Sequence, residues 1–159
     1  MKKLLICLLT VITAFSMDAQ EKVTKLNVIG NWNIVSMELP GTVYYNLEID
    51  SLAPREALLA QIGSGKDSID ALATMKTSLA MLKGMSFIFN ADGKGEITDG
   101  MNPAKDITYS VDEAGAVITT VTLENDAKED LKASFVKELL RMEFEDTENH
   151  IVFLFRKAK

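Results

Sequence analysis

One cysteine, one histidine and one tryptophan in 159 residues leave little material for several kinds of chemistry. A lone Cys7 cannot form an intramolecular disulfide, and it has no companion for a thiolate metal site. The only histidine, His150, can be paired neither with a cysteine nucleophile nor with a second imidazole ligand. Basic residues are in deficit, 17 against 23 acidic ones, for a net charge of −6. That balance excludes the basic face on which a generic nucleic-acid binder depends. After the first segment, no apolar run approaches the roughly 18 residues of a membrane span. Internal repeats, low-complexity tracts and the G-x-S-x-G element of hydrolases are also missing.

What is there begins with a leader. Met1-Lys2-Lys3 is a positive start, Leu4 to Phe15 an apolar run, and Ser16 to Gln20 a small or polar exit. This three-part layout predicts a secretory signal peptide over 1–19, with cleavage after Ser16 or after Ala19. The second site is preferred because it starts the mature chain beside the polar stretch Gln20-Glu21-Lys22. Cys7 follows Leu4-Leu5-Ile6, which lacks the small residue that lipoprotein processing needs, so Cys7 leaves with the leader. The mature chain, 20–159, is then an acidic, cysteine-free single domain that is periplasmic or extracellular.

Its hydrophobic pattern is that of short strands. Gly30 to Met37 alternates, Pro40-Gly41 turns, and Val43 to Ile49 supplies a second strand. The texture then becomes helical over 53–84. A short helix follows Pro54 and ends at Gly63. A longer one spans 66–83, capped by Asp67 or Ser68, with Ile69, Leu72, Leu79 and Leu82 in one stripe facing the barrel. From Met85 onward strands return at intervals of about ten residues, as in a barrel or sandwich. The stretch Lys128 to Lys137 reads both ways: its charges suit a helix, and Ser134-Phe135-Val136 suits a strand.

Gly30-Asn31-Trp32 on the first strand resembles the G-x-W opening of lipocalins and related calycins. Phe87 to Gly93 is similar to the aromatic strand and D-G turn of bacterial lipocalin-like domains, and Phe153-Leu154-Phe155-Arg156 to their closing strand. The resemblance implies an antiparallel β-barrel of about eight strands, here with a two-helix insert (53–84) after the second strand. It also implies that the barrel closes first strand to last, with Arg156 stacked on Trp32 at one end.

The motifs that carry chemistry fail individually. Asn90, Asp92, Gly95 and Ile97 match part of a calcium loop, but Lys94 intrudes and Met101 replaces the bidentate glutamate. Gly63-Ser64-Gly65-Lys66 lacks the upstream glycine and the following Ser or Thr of a phosphate loop. Ser134-Phe135-Val136-Lys137 spells S-x-x-K without the elements that accompany it in penicillin-recognising enzymes. Glu143 and Glu145, about 7 Å apart along one strand face, alternate with Met142 and Phe144 as a solvated face would. Met75, Met81 and Met85 read as apolar filling.

The expectation is therefore a non-enzymatic binder of a small apolar or amphipathic molecule, with no catalytic residue, metal or cofactor. Tyr44, Tyr45, Leu72 and Leu79 are its candidate ligand contacts. The alternative is an exported module with a filled barrel that docks a protein or glycan. The two differ in whether an apolar cavity lies under the insert.

Overall fold

Alternation of apolar and polar residues does most of the building. The computed structural model describes residues 21–145 and 150–159, so the leader and the turn at 146–149 lie outside the described residues. The elements run α1 (Lys25–Val28), β1 (Gly30–Leu39), β2 (Val43–Asn46), β3 (Ser51–Pro54), α2 (Glu56–Ile62) and α3 (Lys66–Ala80). A 3₁₀ turn (Met81–Gly84) leads into β4 (Met85–Phe89) and β5 (Lys94–Asp99). Then come β6 (Lys105–Asp112), β7 (Val117–Thr122), β8 (Lys128–Val136), β9 (Leu139–Glu145) and β10 (His150–Lys157).

Strands β4 to β10 pair in sequence order, and β10 returns to β1, which also pairs with β4. This closes an antiparallel barrel of eight strands, the predicted architecture. β1 is long enough to serve two neighbours on one edge. Gly30 to Asn33 pairs with β4, and Ser36 to Leu39 pairs with β2. The β2–β3 hairpin therefore extends the wall beyond the barrel, and β3 precedes the helical insert. Asn46 ends β2 because its Oδ1 accepts the Glu48 and Ile49 amide N–H groups, bending the chain where the sequence suggested a longer strand.

The bore is filled. Phe87, Phe89, Phe155, Leu140 and Met142 are fully buried, and the Phe87 and Phe155 rings meet edge to face at 5.3 Å. The ambiguous stretch is β8, with Leu131, Ala133 and Phe135 turned inward and charged residues between them. One end is stoppered by α1, whose Thr24–Asn27 capping box holds Val28 in the core. Trp32 Nε1 donates to the Val28 carbonyl at 2.7 Å.

Closure of β1 on β10 sets a register that corrects the expected Trp32–Arg156 stack. Trp32 is opposite Lys157, and Arg156 is opposite Asn33. Successive strand residues face opposite sides, so Arg156 points out and pairs with Glu48, while the Lys157 ammonium lies over the indole. Gly30 makes room for it: a Cβ there would stand 2.3 Å from Lys157 Cε.

The insert also differs from its expected packing. Gly65, not Asp67 or Ser68, caps α3, and the Ser68 hydroxyl donates back to the Gly65 carbonyl at 2.7 Å. Leu79 and Leu82 pack against the core, Leu72 is half-buried, and Ile69 is 67% exposed. The helix packs on the core through its C-terminal end, and Ile69 in its first turn is left in solvent. That end is held by a backbone-to-backbone pass of Gly84 over Gly100, which leaves no space for a Cβ on Gly84.

Candidate functional site: the open mouth of the barrel

The end opposite α1 is covered on one side only. There Leu79 and Leu82 pack on the core beside Leu52 and Met85, and the 3₁₀ turn touches β1 and β5. Across the mouth, the ladder between β8 and β9 stops at Lys132 opposite Glu143. Beyond that pair the strands part, and a cavity of about 430 Å³ opens on Leu131, Phe144 and Ile151. A smaller cavity of about 150 Å³ lies on Ile97, Ile107, Thr120 and Thr122. Glu129 lines both.

Most charges around this mouth are already paired. Lys128 meets Asp130 at 3.3 Å, and the Thr119 hydroxyl donates to the same carboxylate at 2.6 Å. Those bonds, the hydroxyl first, hold Asp130 below the usual carboxylate range. Lys132 binds Glu145 at 2.9 Å, which raises the lysine. Asp99 accepts from the Asn102 side chain and from the Asn102 and Met101 amides, with Lys105 adding its charge, and is lowered to about 2.

The four residues expected to contact a ligand are not brought together. Tyr45 is fully buried in the core, and its hydroxyl donates to Asp50 Oδ1 at 2.5 Å. Burial first, then Asp50, pushes this tyrosine up to about 12. The bond from Tyr45, reinforced by Lys76 and Lys83, lowers Asp50 to about 2. Tyr44 is half-buried on the other face of β2, Leu72 lies along α3, and Leu79 seals the covered side. None of the four lines either mouth cavity. Of the residues that do, Lys128 to Leu131 fall in the stretch the sequence leaves ambiguous, and the others sit on strands whose pattern does not mark a cavity. The clue available was Leu131, in phase with Ala133 and Phe135.

On the outer wall, Glu143, Glu145 and His150 place their ligand atoms within 4.8 Å of one another. Each carboxylate is already engaged. Glu143 takes Arg141 and, at 2.8 Å, His150 Nε2; Glu145 takes Lys132. Burial works to raise Glu143, and the hydrogen bonds from Arg141 and His150 outweigh it, so its net shift is downward. Both glutamates do face outward, but Glu143 is half-buried rather than solvated. The 90–101 segment is a turn in which Asp92 Oδ1 accepts the Lys94 amide at 3.0 Å. Among the described residues, no helix is long and apolar enough to cross a membrane.

No protein-family model matches the chain, and no curated protein matches it. Its fold is similar to that of a DUF4847 family protein from Bacteroides vulgatus ATCC 8482, known from a crystal structure. The two share 15% identity over 82% of this chain and 94% of the other, with a TM-score of 0.49.

Proposed function

We propose that this chain is an exported, non-enzymatic binding protein of lipocalin-like type, taking a small amphipathic molecule at the mouth of its barrel rather than deep inside. The observation that carries the reading is the parting of β8 from β9 above Lys132–Glu143, which exposes an apolar floor ringed by charge. Ligand sites combine these features: apolar walls and a few polar groups that fix orientation. The aromatic filling of the bore favours a guest held at the mouth over one held deep inside the barrel. Export is supported by the predicted leader at 1–19.

Native mass spectrometry of the protein purified gently from its source should show a retained molecule of a few hundred daltons, on the order of a cavity this size. Ile151→Asp, which charges the floor, should release it. A chain that is always empty, in a form whose Ile151→Asp variant behaves identically, sinks the proposal.

A second reading rests on the rim. Met101 and Leu123, on the β5–β6 and β7–β8 loops, are 57% and 54% exposed. Apolar loop tips beside a filled barrel favour a docking module. A partner that competes with small molecules for the mouth would point that way.

A further inference from the structure

We propose that the mouth selects for charge, and that its guest is a cationic amphiphile whose ammonium head sits against Glu129 while its chain lies on Leu131, Phe144 and Ile151. This rests on the mouth reading and goes one step further, to the chemical class. Three observations converge on it.

The first is placement. Glu129 is two residues before Leu131 on β8, so strand alternation puts both on the inward face. It stands where the two cavities adjoin and is opposite Thr120 in the ladder. A head group bound there has its tail already over the apolar floor.

The second is the balance of charge. Lys128 is held by Asp130, and Lys132 by Glu145. Lys105, the cation lining the smaller cavity, enters no ion pair among the described residues, and its charge acts on Asp99. Among the described residues, Glu129 enters no ion pair. Over the two cavities, the carboxylates of Asp99, Glu129, Asp130 and Glu145 stand against the ammonium groups of Lys105 and Lys128, so the lining is net negative, and Glu129 is common to both cavities.

The third is the field of the whole chain. With a net charge of −6, the protein repels anions and attracts cations. A fatty carboxylate would meet both that field and Glu129. An alkylammonium meets neither penalty and donates charge-assisted hydrogen bonds to the carboxylate.

Calorimetric titration of the whole protein with decylamine, decanol and decanoate at neutral pH and low salt separates these terms. Decylammonium should bind about tenfold more tightly than decanol, with decanoate weakest. Glu129→Gln should bring decylammonium to within about twofold of decanol and leave decanol unchanged. Glu124→Gln removes the same charge from the neighbouring β7–β8 loop and should change decylammonium by less than about twofold. Three equal affinities would overturn the charge selection and leave the mouth reading standing. No binding of any probe would end both. Equal losses in the two glutamine variants would assign the preference to the general field and overturn the role of Glu129.

Discussion

The Lys157 ammonium stands 5.4 Å from the centroid of the Trp32 ring, at the stoppered end of the barrel. Trp32 itself is nearly fully buried, so the cation covers an indole face that would otherwise meet water. Lys157→Ala should cost about 0.5–1 kcal/mol in urea unfolding and shift the emission of the sole tryptophan. Arg156→Ala removes an exposed pair with Glu48 and should cost less than about 1 kcal/mol, with emission unchanged. Emission that responds to Arg156 and not to Lys157 would contradict the register.

Gly30 should tolerate nothing larger. Its φ of +144° is in a region that side chains rarely adopt, and a Cβ would displace the Lys157 stem. Gly30→Ala is expected to cost about 1–3 kcal/mol. Made in the Lys157→Ala background, it should cost less, because the collision is gone and only backbone strain remains. Strict additivity in that double-mutant cycle would show that the two positions do not touch.

The Tyr45–Asp50 bond predicts two limbs in the pH dependence of stability. Asp50 is lowered in the folded chain from 3.8 to about 2, so its contribution is present above pH 4 and fades as pH falls toward 2. Tyr45 is raised from 10.0 to about 12, so its contribution is full below pH 10 and fades between 10 and 12. Asp50→Asn should flatten part of the acid limb; Asp99, Asp130 and Glu143, also lowered, keep the remainder. Because Lys76 and Lys83 lose their partner, amide exchange in α3 should quicken. Superimposable acid limbs for the two proteins would refute the assignment.

Calcium should not bind the 90–101 turn more tightly than about millimolar. Asp92 and Asp99 spend carboxylate oxygens on nearby amides, and no glutamate stands at Met101 to complete a cage. A micromolar calorimetric site lost in Asp92→Asn would reverse that reading.

The pair β9 and β10 was legible in the sequence because β9 alternates apolar and charged residues through Phe144 and β10 is a bounded apolar run from Ile151 to Phe155. Two strands were not. β3 is four residues, ends in proline and is paired only with β2, so its local pattern is weak. β8 places charges at its outward positions and an alanine inside, which imitates a helical face. The Trp32 partner was misread by one residue, and in a strand one residue reverses the face. The mouth was harder still. It arises where a ladder stops, and the end of hydrogen bonding between β8 and β9 leaves no mark in either strand alone.

Barrel closure joins β1 to β10, segments about 120 residues apart in sequence, and β10 is the last of the ten strands to be synthesised. Until it emerges, β1 lacks its partner along one whole edge and the aromatic interior has an open seam. Folding thus waits on a long-range encounter, with relaxation expected in about milliseconds to seconds. A nascent chain halted before β10 cannot complete its core. Under the proposal that the chain is exported, the same topology delays the commitment that would make it too bulky to thread through a membrane.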